Sequence, residues 1–473
     1  MADDDLIYST IGELNAKLKR REVSCVELTK AYLDRLESLG PKYNALALPL
    51  RKSALRKAKY VDGDIKIERF RGPLQGIPFG AKDLLAVAGY RTTWGAKPYE
   101  NQVFKEDAAI IRKLDKTGAV LIGKLAMVEL AGGGGYRYPS ASLTGPGLNP
   151  WDRGRWAGGS SSGSGAAVAA GMVGFALGSE TSGSILTPSA YCGVTGLRPT
   201  YGLVSRAGAM ALSWTMDKIG PMCRSAEDCA FVLETIAGGD SADPGTAGKN
   251  FYYFPEYVRD LKQVKIGIAP VDYDMLADPS TKSGFDAALS VLKGLGLQTV
   301  VTHLPDFPYP AMAGTIIKAE ASSIFEPLVT SGKVDELADQ RLAQGLKAGL
   351  ELPAKEYLKA MRIRALAQEA FRQLFVDVDI LVAPTRYTVA SKIGDALDRP
   401  PSAASADRPK GMSGLIPAGN LAGLPALSLP CGFADGLPIG LQLVSRAFNE
   451  NLLLRMGIEF QARTDWHKRR PPV

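Results

Sequence analysis

Short apolar runs ending at glycine or proline alternate with helix-period stretches along the chain, and that alternation restricts the architectures open to it. "VKIGIAP" (264–270), a helical pattern over 279–293 and "LQTVVTHL" (297–304) make one strand–helix–strand unit. "DAAIIRKLDKTGAVLIGKL" (107–125) reads as a helix running into a buried strand, and "QGIPFGAKDLLAVA" (75–88) as a strand leaving a Gly-Pro turn. "FALGSETSGSI" (175–185) is a short strand entering a tight glycine turn, and "VDILVAP" (378–384) a further strand. Two helices are expected over 9–40, the second opened by Ser24 as N-cap, and helical patterns fill most of 310–375. The polar stretch 398–412 reads as a surface loop. No internal repeat is present. This pattern predicts an α/β fold: one domain over 1–473, a central mixed twisted β-sheet flanked by helices.

Composition closes several functional classes. With 46% hydrophobic and 22% charged residues the chain is globular, not disordered. The net charge of +7 comes from scattered Lys and Arg without a basic stripe, so no nucleic-acid partner is expected. The terminal His467-Lys468-Arg469-Arg470 run reads as a solvated tail. Five cysteines without C-x-x-C spacing argue against a disulfide framework or a zinc site and suit a reducing compartment. The start, MADDDLIYST, has no apolar leader, and the small apolar run from Gly165 to Gly178 is too short for a bilayer. A soluble, cytoplasmic protein with no membrane partner is the expectation.

The stretch "WAGGSSSGSGAAVAAG" (156–171) sets serines and glycines ahead of a helix of small residues. A linker should precede a domain boundary, and here tightly patterned apolar chain follows. A phosphate loop needs G-x-x-x-x-G-K-[ST], yet Gly158 and Gly163 are followed by Ser164, with no lysine in the helix. Serine chemistry remains, and it needs a base. The chain holds only His303 and His467, both in irregular contexts, which disfavours a Ser-His-Asp triad and removes a histidine-rich metal site. Lysine is the other candidate. Lowering its pKa from about 10.4 to about 7–8 means destabilising the ammonium by roughly 4 kcal/mol, which only a nearly dry site imposes. Lys82, ending the apolar strand of "GIPFGAKDLL", is the best placed. Asp83 reads as an ordinary solvated strand end, and Cys192, with no histidine beside it, as a packed thiol.

These residues resemble the amidase signature family. "GIPFGAKDLLAVAG", "AGGSSSGSGAAVAAG" and "ALGSETSGSILTPSAYCGVTGLRPTYGLVSRAG" carry the likeness. It continues in "LSWTMDKIGPMCRSAED" (212–228) and in "GNLAGLPALSLPCGFADGLPIGLQLVSRAFNENLLL" (419–454), and weakens over about 240–375. The resemblance implies a serine–cis-serine–lysine triad with Ser184 as nucleophile, Ser160 as bridging serine and Lys82 as base. The interval from Ser160 to Ser184 is 24 residues, as in the family. It implies an oxyanion hole from the backbone N–H groups of Thr181, Ser182, Gly183 and Ser184, with Ser161 hydrogen-bonding Lys82. It also implies a signature core at about 70–235, a variable pocket-shaping region at about 240–375, and neither metal nor organic cofactor. Ser182 stands where the family usually has glycine, Glu180 replaces the more usual Asp, and Leu186 sits where Arg is frequent. Position 182 would strain a serine if it required positive φ.

The expected activity is hydrolysis of an amide C–N bond through an acyl-enzyme, by a serine-type amidase. The expected substrates are neutral, partly apolar or aryl amides, with esters and carbamates (a urethanase activity) as further classes; Leu186, Tyr136 and Tyr138 flank the site. The expected partners are such a small molecule, no nucleic acid, and at most a second copy in a homodimer. The alternative is the glutaminase subunit of a tRNA-dependent amidotransferase complex.

Overall fold

The computed structural model describes residues 4–132, 138, 140–258, 260–397 and 411–473. Most of the 398–412 loop and Tyr136 therefore lie outside the described residues.

The N-terminal helices form where the sequence places caps. The hydroxyls of Thr10 and Ser24 accept the N–H of Glu13 and Glu27, whose carboxylates bind back to the cap N–H groups, opening helices Ile11–Lys19 and Cys25–Leu39. Leu28, Tyr32, Leu33 and Leu36 of the second helix are buried at helical spacing.

Among the described residues thirteen strands follow in chain order: β1 (Leu46–Pro49), β2 (Pro78–Lys82), β3 (Val120–Leu125), β4 (Leu148–Asn149), β5 (Asp152–Trp156), β6 (Phe175–Glu180), β7 (Thr195–Arg198), β8 (Lys218–Cys223), β9 (Lys265–Ile268), β10 (Gln298–Val301), β11 (Ile380–Pro384), β12 (Ala426–Ala434) and β13 (Leu437–Ser445). β4 and β5 pair alone; the other eleven form one sheet in the order β1-β3-β2-β6-β8-β7-β12-β13-β11-β9-β10. β3, β2 and β6 run parallel, as do β11, β9 and β10, and the remaining pairings are antiparallel. The sheet is mixed, as expected. β2, β8, β11 and β13 are buried at every position, which is why they read as continuous apolar runs and not as alternating ones. The expected β-α-β unit is β9, helix Pro279–Gly294 and β10. The helical stretch resolves into three long helices, Tyr309–Ile324, Gln340–Leu350 and Ala354–Asp377, with shorter turns between them.

The helix of small residues spans Ser162–Ala169 and is buried throughout. A Cβ on Gly163 would sit 2.5 Å from both the Ala126 nitrogen and the Ala45 oxygen, so only glycine lets this helix approach so closely. Of the His467-Lys468-Arg469-Arg470 run, Lys468, Arg469 and Arg470 are exposed, with Arg470 reaching Asp5 at 2.8 Å, whereas His467 is partly buried and not solvated as expected. Among the described residues, no helix is long and apolar enough to cross a membrane.

Candidate active site

β2 delivers Lys82 into a dry pocket: the side chain is fully buried. Its amine lies 2.7 Å from the Ser160 hydroxyl oxygen, 3.0 Å from that of Ser161 and 2.9 Å from that of Ser179. Burial pulls its pKa down to about 7, against the opposing pull of the Asp217 and Glu180 carboxylates. The hydroxyl of Ser161 donates to the Ser179 carbonyl at 3.2 Å, so towards Lys82 it acts as acceptor. A neutral amine has two hydrogens and one lone pair; with Ser161 accepting, the lone pair is free for a serine proton.

The glycines before Ser160 have a local cause. Gly158 holds φ 83°, and a Cβ there would meet the Pro188 backbone at 2.7 Å. The Gly159–Ser160 peptide bond is cis. The Ser161 N–H donates to the Ser184 carbonyl at 3.3 Å, stitching this loop to the turn after β6. The structure thus brings Lys82, Ser160, Ser161 and the turn bearing Ser184 together. In that turn the positive φ falls on Gly183, at 100°, and not on Ser182, so the serine at 182 is unstrained.

Two buried carboxylates fix the turn. Glu180 accepts the N–H groups of Ile185 (2.9 Å) and Leu186 (3.0 Å) on one oxygen, and Arg198 (2.9 Å) and Asn420 (2.8 Å) on the other. Burial works against its charge, yet these donors, Arg198 first, hold its pKa below the ordinary carboxylate range. Asp217 accepts the Thr181 hydroxyl at 2.6 Å and the N–H groups of Leu212 and Ser213 at 2.8 and 2.9 Å. Its pKa is raised, because desolvation outweighs those bonds.

The sequence reading missed several of these groups. Ser179, Asp217, Arg198 and Asn420 all lie within the quoted family segments but carry no motif signal of their own. Asp83 is corrected: far from solvated, it is 1% exposed, pairs with the buried Lys124 at 2.8 Å and accepts the Thr93 N–H at 2.9 Å. No water competes there, so the charge must be paired. Leu186 packs with Met216 and Leu415 in an apolar cluster. Cys192 is a buried thiol donating to the Ala157 carbonyl at 3.2 Å, with its pKa pushed up by burial.

A cavity of about 190 Å³ adjoins the turn, reaching Ser179, Thr181, Asp217 and Lys218 between apolar walls that include Leu84 and Met210. Among the described residues, no group of three or more His, Cys, Asp or Glu side chains could hold a metal ion.

The sequence profile of the family described as Amidase matches residues 27–454. The chain belongs to the amidase signature family. Within it, this amidase-family chain is 37% identical to one subunit of the glutamyl-tRNA(Gln) amidotransferase of Carboxydothermus hydrogenoformans, over 99% of this chain and 100% of that one. Among solved structures it resembles the peptide amidase of Stenotrophomonas maltophilia (32% identity, 98% of each chain, TM-score 0.83). It also resembles the corresponding glutamyl-tRNA(Gln) amidotransferase subunit from Thermotoga maritima (30% identity, 96% of this chain and 94% of that one, TM-score 0.75). Carbamates and esters enter none of these names. An enzyme acting on amide C–N bonds is thereby established. One expectation is corrected: a small-molecule substrate with no nucleic acid and at most a second copy as partner. The full-length relative is one subunit of a larger enzyme, and that enzyme acts on glutamyl-tRNA. Scattered surface charge speaks only to direct contacts of one chain and is blind to what a partner subunit holds.

Proposed function

We propose that this chain is the glutamine-hydrolysing subunit of a tRNA-dependent amidotransferase, freeing ammonia through a Ser184–Ser160–Lys82 relay. The observation that carries the chemistry is the buried Lys82 amine, its pKa lowered to about 7, within 2.7 Å of Ser160. Full-length similarity to a glutamyl-tRNA(Gln) amidotransferase subunit supports the substrate and the assembly. Five unpaired, buried cysteines suit the reducing cytoplasm in which such a complex would work.

In this reading the free amine takes the Ser160 proton while Ser160 takes that of Ser184, and the Ser184 oxygen attacks the carboxamide carbon. The backbone N–H groups of Thr181, Ser182, Gly183 and Ser184 face the oxyanion. A donor fixed in a dry turn is commonly worth about 3 kcal/mol of barrier. Collapse breaks the C–N bond as the relay returns the proton to the leaving nitrogen, giving ammonia and an acyl ester on Ser184. Water, activated along the same path, attacks the ester and releases the carboxylate. Ser161 and Ser179 orient the amine.

Ser184→Ala is expected to lose both ammonia release from glutamine and covalent labelling by a fluorophosphonate; retained labelling removes Ser184 from its role. The isolated chain should release ammonia feebly and faster once its partner subunits are added. Rapid unaided turnover of peptide amides, with glutamine untouched, would favour the peptide-amidase-like alternative.

A further inference from the structure

The proposed relay passes through one of the three hydroxyls that the Lys82 amine touches. Ser160, Ser161 and Ser179 lie 2.7, 3.0 and 2.9 Å from it, so the ammonium form has one hydrogen for each oxygen. The three are not equivalent. The Ser161 hydroxyl spends its own hydrogen on the Ser179 carbonyl at 3.2 Å and has none to pass on. The Ser179 oxygen accepts from Lys82, and among the described residues its own hydrogen has no acceptor. Their settings differ as well. Ser160 and Ser161 are fully buried, whereas Ser179 is partly exposed and lines the cavity of about 190 Å³. Sheet register fixes that direction. Ser179 pairs with Ile219 across β6 and β8, and one step along the same face Thr181 bonds Asp217 at 2.6 Å. All four line the cavity, while Glu180, between them, turns to the opposite face, where Arg198 and Asn420 hold it. Among the described residues, Ser179 is thus the point where the hydrogen bonds of Lys82 meet the cavity.

We propose that Lys82 works through two arms: Ser160 moves the proton of the Ser184 oxygen, and Ser179 moves that of the group on the cavity side. That group is the leaving nitrogen in acylation and the attacking water in deacylation. The proposal rests on the glutamine-hydrolysing reading and replaces its single proton path by two. In acylation the Ser184 proton reaches Lys82 through Ser160, and the ammonium then passes a proton to the Ser179 oxygen. Ser179 gives its own hydrogen to the nitrogen as the C–N bond breaks, so ammonia leaves and amine and hydroxyl are both neutral again. Deacylation runs the arms the other way. Water yields a proton to the Ser179 oxygen, whose own hydrogen moves to Lys82, and the water oxygen bonds the acyl carbon. The ester bond to Ser184 then breaks, and the ammonium returns a proton to the Ser184 oxygen through Ser160. Leaving nitrogen and incoming water take the same side of the acyl carbon, which is why one hydroxyl serves both.

Ser179→Ala separates the arms. A fluorophosphonate draws on the Ser160 arm alone, because Ser184 must lose its proton but the departing fluoride needs none. Labelling of Ser179→Ala should therefore stay within about threefold of wild type, while ammonia release from glutamine falls about 10²-fold. Ser179→Thr, which keeps a hydroxyl, should recover most of the release, and Ser160→Ala should lose release and labelling together. Ser179→Gly, which also removes the hydroxyl, serves should the alanine variant not fold. Labelling and release that fall in step would leave Ser179 only orienting the amine, and that result, or unchanged release, overturns the proposal. Running the same comparison on a peptide amide keeps the two readings apart. A split seen on the peptide amide, with glutamine untouched by the wild-type chain, sinks the glutaminase reading alone. Glutamine turnover that survives loss of the Ser179 hydroxyl sinks the second arm alone.

Discussion

A lysine amine that is uncharged near neutral pH is the smallest unit on which the chemistry depends. Lys82 has its pKa lowered to about 7 because burial penalises the ammonium more than Asp217 and Glu180 reward it. The base is the unprotonated form, so kcat/KM should climb about tenfold per pH unit below 7 and level off above it. Lys82→Ala should lose about 10²–10⁴-fold at pH 7, lack that inflection, and recover partly as hydroxide rises; wild-type rates in Lys82→Ala would refute the base assignment. The same shift bears on stability. The unfolded chain holds this proton up to about pH 10.4, whereas the folded one sheds it near 7. The linkage therefore destabilises the fold below pH 7 and relaxes as pH rises from 7 towards 10. Lys82 was legible in the sequence because an apolar strand ending in lysine is unusual. Ser179 was not: a lone serine in a strand has no signal until the neighbouring strand is in place. Lys218 follows an aspartate, and nothing in that pair shows that the aspartate's bonds go to Thr181 and the 212–213 backbone, not to the lysine.

At the scale of elements, periodicity and capping chemistry located most helices and strands, since both are local. Ser24 caps the helix where the sequence places its N-cap, and the run of small residues is a helix. What periodicity could not show is why those residues are small, which depends on Ala45 and Ala126, far back along the chain. Two glycines separate the effects. Gly163 faces backbone at 2.5 Å, so Gly163→Ala must push the Ser162–Ala169 helix off Ala45 and Ala126, at a cost of about 1–3 kcal/mol. Gly314, on the exposed face of helix Tyr309–Ile324, has nothing within 4 Å of an added Cβ. Gly314→Ala should stabilise by up to about 1 kcal/mol through helix propensity alone. Thermal melts of the two variants should therefore move in opposite directions; a Gly163→Ala protein that melts with wild type would show the helix to be loosely seated.

Across the whole molecule, strand order is the property furthest from the sequence. β12 and β13, near the C-terminus, are inserted between β7 and β11, so the site's sheet closes only after almost the entire chain is made. The helical stretch packs on that sheet through an apolar cluster in which Met312, Ile316 and Phe371 join Leu381, Ala383 and Val444, and a few buried polar groups tie it to one segment. Glu320, 1% exposed in helix Tyr309–Ile324, accepts the Ser213 hydroxyl at 2.6 Å, the Thr215 hydroxyl at 2.8 Å and N–H at 3.2 Å, and the Tyr357 hydroxyl at 2.8 Å. Arg364, from helix Ala354–Asp377, donates to the Thr215 hydroxyl and carbonyl at 2.9 and 2.8 Å. Both helices thus grip residues 213–215, immediately ahead of Asp217 and Lys218. Glu320→Ala would leave buried hydroxyls and an N–H without their acceptor, each costing about 1–3 kcal/mol where no water replaces it. The variant should melt several degrees lower. Because the loosened segment carries the cavity wall and not the relay, its KM for the amide should rise while labelling of Ser184 by a fluorophosphonate proceeds at nearly the wild-type rate. Loss of labelling in parallel with KM would instead mean that the helices hold the relay itself in register.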